Sequence, residues 1–240
     1  MKPTSPDATD RAPDAPGEGA TVADEGDALR IDIVSDVVCP WCIVGYRQLA
    51  IALERRGTRA AIHWHPFELN PDMPPEGEEL SAHMGRKYGS SIADSARARE
   101  RLVATGAELG FTFDYADGKR IVPTFRAHRL LSWAGESGRE HALKMALFDA
   151  YFTRSLNVDD TDVLLDAAES IGLDREAARV ALEDETRATA VREHERFWLA
   201  QGVRGVPAMV FDERRLVTGA QGVERYEAIL EELAAASATV

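Results

Sequence analysis

Cys39 and Cys42 are the only cysteines in the sequence, and two residues separate them. A β-rich apolar run leads into the pair, and an amphipathic helical pattern follows at once. Backbone N–H groups in the first turn of a helix have no intrahelical partner and favour a nearby negative charge. We therefore expect Cys39 to lose its proton more easily than a free thiol does. The pair is predicted to be a redox dithiol in which Cys39 attacks and the more buried Cys42 resolves the mixed disulfide.

A structural disulfide and a zinc site are the other uses of such a pair. A bond between Cys39 and Cys42 would close a very short loop, and short loops constrain the unfolded chain least. The sequence has no pattern of a secretory signal, so we expect a cytoplasmic protein, and stable disulfides are rare in that compartment. Zinc would need two more ligands, for which His63 and His65 are candidates. Both histidines lie on one face of a strand and not at its end, so no metal site is expected.

The hydrophobic pattern predicts a strand, a helix and a second strand around the dithiol. The first strand covers Leu29–Ser35, and the helix that follows Cys39 ends near Gly57. The second strand covers Ala61–Leu69, and Pro66 places it at a sheet edge or ends it there. These elements form a right-handed parallel βαβ unit. Reactive groups in such sheets gather at the carboxyl ends of strands, which is where Cys39 lies.

The rest of the chain predicts a helical block and then a hairpin. Helical patterns occur near residues 79–88, 92–109, 125–135, 139–154, 161–170, 174–183 and 186–201. Residues 111–113 are interpreted as a short extended piece. The strand pattern returns at Ala208–Phe211 and Leu216–Thr218, and a final helix follows Gly222. We predict an α/β fold of order βαβ…ββα, with a sheet domain at residues 29–77 and 203–237 and an inserted helical domain at residues 78–202.

Composition limits the classes of partner. The chain has 240 residues, of which 45% are hydrophobic, and a formal net charge of −13. The negative charge argues against nucleic acid and anionic membranes as main partners. No run approaches the roughly 20 apolar residues that a membrane span requires. Residues 1–28 carry seven Asp or Glu against two Lys or Arg, and we predict that this acidic tail is disordered because it has too little apolar surface to offset its ordering entropy.

Several segments in this order resemble one known family. The Cys-Pro-Trp-Cys motif after the first strand, the Val206–Pro207 step before the hairpin and the large helical insert resemble the DsbA-like branch of the thioredoxin superfamily. Within that branch the sequence is most similar to the cytosolic FrnE-like group of dithiol–disulfide oxidoreductases. Further matching segments are Pro66–Pro71, Ala127–Leu130, Gly202–Pro207 and Gly219–Gln221.

The resemblance implies a thioredoxin-like fold and a thiol–disulfide oxidoreductase of the oxidase or isomerase type. It implies a cis peptide bond at Pro207, which would face the dithiol and leave the Val206 backbone free to pair with a substrate strand. Trp41, between the cysteines, is expected to contact substrate. No cofactor is expected beyond the redox-active disulfide, with glutathione as a candidate. The expected partners are protein or small-molecule thiols and disulfides, with thioredoxin or glutathione as the redox partner.

The sequence departs from the strongly oxidising periplasmic enzyme of this family, because Pro-Trp replaces Pro-His between the cysteines. An imidazole beside the thiolate is therefore missing, and an equally low thiol pKa is not expected. Asp36 and Glu68 are candidate proton acceptors near the dithiol. His128 and Arg129 are expected on a solvated helix end.

Two other functions stay open. Kappa-class glutathione transferases and 2-hydroxychromene-2-carboxylate isomerases share the core and the helical insert, but they generally have serine where Cys39 stands. A chaperone-like binding module would instead hold clients on an apolar groove around Trp41 and Pro207. The two cysteines favour dithiol chemistry over both.

Overall fold

The structure is a computed structural model and describes residues 28–116 and 118–237. The predicted acidic tail, residues 1–28, lies outside the described residues except for Ala28. The described strands are β1 (Leu29–Ser35), β2 (Ala60–Pro66), β3 (Glu78–Glu79), β4 (Arg120–Ile121), β5 (Ala208–Phe211) and β6 (Arg215–Thr218). The described helices are α1 (Pro40–Arg56), α2 (Leu80–Tyr88), α3 (Ile92–Glu108), α4 (Phe125–Gly135), α5 (Glu140–Phe148), α6 (Thr161–Ser170), α7 (Arg175–Glu183), α8 (Glu185–Ala200) and α9 (Val223–Ser237).

A four-stranded sheet in the order β2-β1-β5-β6 holds the predicted dithiol at one end of its central strand β1. β1 pairs in parallel with β2 and antiparallel with β5, and β5 pairs antiparallel with β6. β1 lies in the centre because it is apolar on both faces: Ile31 and Ile33 are buried on one face and Val34 on the other. The predicted βαβ…ββα order is confirmed. β2 is an edge strand that ends at Pro66, as predicted.

The helix that carries the dithiol, α1, packs against α9 on one face of the sheet. Leu49 of α1 and Tyr226 of α9 are fully buried there. α1 begins at Pro40, a residue that suits the first helical position because its missing N–H leaves no donor unpaired, and ends before Gly57, which adopts a left-handed conformation with φ of 61°. On the other face of the sheet, Trp198 of α8 packs with Val34 of β1.

The helices between β2 and β5 form the predicted insertion. The side chains of Asp160 and Asp174 cap the N-termini of α6 and α7. One hydrophobic cluster runs from Ile33 of β1 through Trp64 of β2 to Phe148 at the end of α5. Sheet and insertion therefore share a core, and the division at residues 78 and 202 stays a prediction.

The helix bounds agree with the sequence pattern to within one residue, with one exception. The predicted helix 139–154 is divided into α5 and a π-helical turn at Asp149–Thr153. Residues 111–113 form no strand. Instead a small antiparallel pair, β3 with β4, joins residues 78–79 to residues 120–121. Two-residue strands have no hydrophobic periodicity, so the sequence pattern could not predict them.

None of the helices in residues 28–116 and 118–237 combines the length and the apolar character that crossing a membrane requires.

Candidate active site

The two cysteines lie where the chain turns from β1 into α1. Cys39 occupies the N-cap position of α1 in an extended conformation, and its carbonyl accepts a hydrogen bond from the Cys42 N–H at 3.1 Å. The Cys39 N–H donates to the Asp36 carbonyl at 3.3 Å. Both cysteines are free thiols and are buried, with 3% exposure for Cys39 and 0% for Cys42. Substrate reaching this pair must therefore approach Cys39.

The segment before β5 meets the dithiol. The Val206–Pro207 peptide bond is cis. The Cys39 thiol lies 3.7 Å from the Val206 carbonyl oxygen, which it can use as a hydrogen-bond acceptor. The structure thus brings the Val206–Pro207 segment to Cys39, as the family resemblance implies, although Val206 lies 167 positions after Cys39 in the sequence. Antiparallel pairing of β5 with β1 produces this contact, because it aligns Ala208 with Val34 just before the turn to Cys39.

Trp41 projects beside the dithiol, and half of its surface is exposed. Neighbouring Pro40 and Val206 are only partly exposed. An aromatic ring in this setting offers apolar surface that a bound chain would cover. The role of Trp41 and Val206 in binding substrate stays a prediction.

The two thiols of the reduced dithiol influence each other's ionisation. Burial opposes ionisation of Cys42, yet hydrogen bonds from Cys39 and Ser35 and the positive charge of Lys144 lower the pKa of the Cys42 thiol. The pKa of Cys39 is raised well above its ordinary value, first by its hydrogen bond to Cys42 and then by burial. Because the two thiols share a hydrogen bond, they titrate as a pair. The expectation that the helix N-terminus makes Cys39 the more acidic thiol stays a prediction.

Asp36 lies under the dithiol with its carboxylate fully buried. One carboxylate oxygen accepts the Leu69 N–H at 2.7 Å, and the other lies 3.5 Å from His128 Nε2. Burial opposes the charge, but the hydrogen bonding and charge of His128 outweigh it and lower the pKa of Asp36. The role of Asp36 as a proton acceptor stays a prediction.

Glu68, the other candidate proton acceptor, has its carboxylate engaged by a different residue. Its carboxylate pairs with Arg192, which also bonds Glu195 at 2.9 Å. Burial, together with the charge of Glu195, raises the pKa of Glu68 to about 7. The carboxylate is thus engaged in a separate ion cluster that joins the loop after β2 to α8.

Two residues expected on a solvated helix end are buried instead. His128 is 2% exposed and Arg129 is 8% exposed. The His128 ring lies 3.2 Å from the Phe67 carbonyl oxygen and beside Asp36, so it closes the underside of the site. The expectation failed because α4 turns its charged start inward against the loop after β2, which no local pattern reveals.

Lys144 is the site residue that sequence reasoning missed. It lies on α5, is 1% exposed and has its ammonium group 3.4 Å from the Ser35 carbonyl oxygen. The ring faces of Trp64 and Phe148 lie about 5 Å from it. Burial lowers the pKa of Lys144, while the negative charges of Cys42 and Asp36 oppose that shift. The sequence did contain a signal for it: Lys144 lies three and four residues before the apolar Leu147 and Phe148, so it falls on an apolar helix face. A lysine on such a face needs a buried partner.

No three His, Cys, Asp or Glu side chains converge as a metal site would require, as far as residues 28–116 and 118–237 show. His63 and His65 line a cavity beside β2 and do not approach the cysteines as a ligand set. The candidate site therefore consists of the two thiols, the buried charged groups behind them and the Val206 carbonyl oxygen beside Cys39.

Three solved structures resemble the chain across most of its length. A probable DsbA oxidoreductase from Streptomyces coelicolor is 32% identical, with a TM-score of 0.78 over 85% of this chain and 89% of the other. A 2-hydroxychromene-2-carboxylate isomerase is 17% identical, with a TM-score of 0.67 over 88% of this chain and 98% of the other. The cytosolic disulfide reductase DsbM from Pseudomonas aeruginosa, solved with GSH, is 15% identical, with a TM-score of 0.56 over 85% and 98%.

The last two similarities concern the fold alone. The predicted thioredoxin-like architecture with its helical insertion is confirmed by the first similarity and by the match to a family model. The first also has sequence identity high enough to indicate common family. The family model that describes a DSBA-like thioredoxin domain matches residues 30–231. The chain therefore belongs to the DSBA-like thioredoxin family, whose members are generally thiol oxidoreductases.

Proposed function

We propose that the protein is a dithiol–disulfide oxidoreductase that works through Cys39 and Cys42. The observation that carries this proposal is the pair of buried free thiols at the start of α1, with the Val206 carbonyl 3.7 Å from Cys39. A buried thiol pair beside a partly exposed backbone acceptor suits disulfide exchange. It has no evident structural use, because a bond across two intervening residues would add little stability.

The reaction begins when Cys39 becomes the thiolate. Cys39 loses its proton, so the negative charge lies on the outer sulfur of the pair, which substrate can reach. The Cys39 thiolate attacks one sulfur of a substrate disulfide, forms a mixed disulfide and releases the other sulfur as a thiolate. Cys42 then loses its proton and attacks Cys39. The bond between Cys39 and Cys42 forms, the substrate leaves as a dithiol, and the protein carries the two oxidising equivalents. The reverse sequence oxidises a substrate dithiol.

An extended peptide is the substrate shape that suits this surface. The Val206 backbone lies at the dithiol, where it can pair with a substrate strand by the edge addition that sheets use. Trp41 supplies half-exposed apolar surface on the other side of Cys39. Small disulfides remain possible substrates, and glutathione is proposed as redox partner because the structurally similar DsbM was solved with GSH. We further propose a cytoplasmic location, which the description of DsbM as cytosolic supports.

A glutathione-dependent isomerase or transferase acting on small molecules is the second candidate. The similarity in fold to a 2-hydroxychromene-2-carboxylate isomerase favours it. That chemistry needs one group at the Cys39 position and has no use for Cys42. Dependence on Cys42 therefore separates the two candidates, and a chaperone-like module would depend on neither cysteine.

The test uses a peptide disulfide with the wild-type protein and two serine variants. Wild-type protein should catalyse exchange, Cys39→Ser should lose it, and Cys42→Ser should accumulate a mixed disulfide that mass spectrometry detects. Full exchange in the Cys39→Ser variant would rule out the proposal. Isomerisation or conjugation that survives Cys42→Ser, without peptide exchange, would favour the second candidate.

A further inference from the structure

We propose that a polar cavity in the helical insertion binds a carboxylate of the peptide substrate, and that Arg99 of α3 is the residue that selects this acidic group. The inference rests on the proposed function and deepens it, because it gives a chemical class to the substrates of the dithiol. It concerns a part of the insertion that the exchange chemistry itself does not use.

The cavity lies where the small sheet of β3 and β4 meets the start of α2 and the middle of α3. It has a volume of about 200 Å³, which is room for a carboxylate side chain and a few waters. The polar residues that line it are Glu79, Ser81, Arg99, Tyr115 and Lys119. This lining suits a charged group better than an apolar one.

Arg99 brings a positive charge that no carboxylate neutralises. Its guanidinium group donates a hydrogen bond to the Ser81 hydroxyl at 3.3 Å, and it forms no ion pair with any of residues 28–116 and 118–237. A guanidinium group has five N–H donors in a planar fork, which matches the two oxygens of a carboxylate. Most donors of Arg99 are therefore available to a ligand in the cavity.

Lys119 adds a second positive charge, and this one is buried at 8% exposure. Its ammonium group donates to the Tyr151 carbonyl and to the Ser155 hydroxyl, the latter at 3.2 Å. A longer contact of 3.4 Å joins it to the Asp114 carbonyl. All of these acceptors are neutral, and no ion pair holds the ammonium group in the described part of the chain. Because a buried charge without a counter-ion is costly, a bound anion would stabilise this arrangement.

Glu79 also lines the cavity, but its charge is already engaged. Its carboxylate caps α2 by accepting the N–H groups of Ser81 at 3.0 Å and Ala82 at 2.7 Å. The N-terminus of α2 is thereby occupied and is not the anion site. Two positive charges against one engaged carboxylate leave the cavity positive, whereas the whole chain has a net charge of −13. The positive charge is therefore a local feature of this cavity.

Tyr115 relates the cavity to the dithiol. Its ring stacks on Phe113, with the ring centres 6.1 Å apart. Burial raises the pKa of the Tyr115 hydroxyl, the charge of Arg99 lowers it, and the charge of a Cys39 thiolate raises it further. Interactions between charges fade beyond roughly 10 Å at moderate salt. The Tyr115 hydroxyl is thus near both Arg99 and Cys39, so one substrate can reach both.

This placement predicts where the acidic group lies in the substrate. An extended chain rises roughly 3.3 Å per residue, so the carboxylate should lie roughly two to four residues from the substrate cysteine. There it would accept a forked pair of hydrogen bonds from Arg99 and one from the Ser81 hydroxyl. Hydrogen bonds of this charged kind are roughly twice as strong as neutral ones. Acidic peptides should therefore react faster than neutral ones.

A set of peptide disulfides tests the inference with the full-length protein. Each peptide has a single Glu at one to five residues from the cysteine, and its partner has Gln at the same position. At the best position, kcat/KM of the wild-type protein should be about tenfold or more higher for the Glu peptide. Arg99→Gln should bring this ratio close to one, and Ser81→Ala should lower it. Added salt should also reduce the wild-type ratio, because it screens the charges.

Arg101→Gln is the matched control, because Arg101 also lies on α3, is exposed and does not line the cavity. It changes the net charge equally and should keep the wild-type ratio. Calorimetry with the same peptides, made with serine in place of cysteine, measures binding without exchange. The preference for Glu over Gln should depend on Arg99 in this measurement as well.

Two results would overturn the inference directly: no preference for Glu at any position in either measurement, or a loss in Arg101→Gln as large as in Arg99→Gln. Inorganic phosphate is the probe for a free anion. If it raises the Tm of the wild type but not of Arg99→Gln, while peptides show no preference, the cavity serves a free anion and the inference is wrong. Arg99-dependent binding of Glu peptides without any exchange would overturn the proposed function alone.

Discussion

At the scale of single residues, the two thiols of the dithiol differ in their surroundings. The Cys39 thiol lies 3.7 Å from the Val206 carbonyl oxygen, whereas Cys42 is fully buried near Ser35 and Lys144. Substrate therefore meets Cys39 first, beside the half-exposed Trp41.

Trp41→Ala should weaken exchange with a peptide disulfide by roughly 1–2 kcal/mol in kcat/KM, because half of the ring is exposed and available for burial under substrate. Reaction with a small disulfide should change much less, and so should the free energy of unfolding. Steady-state kinetics with both substrates measures this. Tyr88→Ala, which removes a ring that is 56% exposed on α2, is the control and should affect neither reaction. Equal loss with both substrates would count against a binding role for Trp41.

At the scale of elements, the site depends on close contact between α1 and the segment before β5. Gly45 of α1 has no side chain, and a Cβ there would lie 3.2 Å from the Pro207 ring and 3.3 Å from the Met209 side chain. Only glycine allows this approach without displacement. The distance from Cys39 to Val206 is set by this packing.

Gly45→Ala should therefore reduce the exchange rate by moving the Val206 carbonyl relative to Cys39. The free energy of unfolding should change by less than about 1 kcal/mol, because the higher helix propensity of alanine offsets the crowding. Exchange assays measure the rate, and urea denaturation measures the free energy of unfolding. Gly135→Ala, where the nearest atoms lie 3.9 Å away, should leave the exchange rate unchanged. If both variants exchange at the wild-type rate, the packing against Pro207 does not position the site.

The elements themselves were predictable because each has a local cause. Hydrophobic periodicity indicates the helices. Pro40 and Gly57 mark the start and the end of α1, and the caps at Asp160 and Asp174 mark the starts of α6 and α7. The contact of Cys39 with Val206 followed from family resemblance. Lys144 and His128 could not be predicted as site residues, because their burial depends on how the insertion packs against β2 and the loop after it. Local periodicity contains no information on that packing.

At the scale of the whole molecule, buried carboxyl groups determine how stability varies with pH. Asp32, hydrogen-bonded to His65 and Arg30, and Asp36 both have pKa values below the ordinary 3.8 despite burial. Their contribution to stability is present above that pH and is lost as the pH falls through their folded-state values. Glu68 has the opposite effect on how stability varies with pH. Its pKa is raised from 4.5 to about 7, so the folded state binds the proton more tightly than the unfolded state does.

Stability linked to Glu68 is therefore complete below about pH 4.5 and lost as the pH rises to about 7. Glu68→Gln removes this loss. The variant should match the wild type at acidic pH and exceed it by roughly 1–3 kcal/mol in free energy of unfolding at mildly alkaline pH. Denaturant titrations across the pH range measure the difference. Glu100→Gln, an exposed change on α3, should show no such trend. A difference that is constant with pH would contradict the assigned shift.

The central claim is that Cys39 and Cys42 form one redox couple. The direct measurement is equilibration of the protein in glutathione buffers of graded potential, followed by thiol alkylation and mass spectrometry. We expect only the doubly alkylated dithiol and the unalkylated internal disulfide, exchanging in a single two-electron transition. Two cysteines that stay alkylatable throughout, or a stable single glutathione adduct in place of the internal disulfide, would contradict the claim.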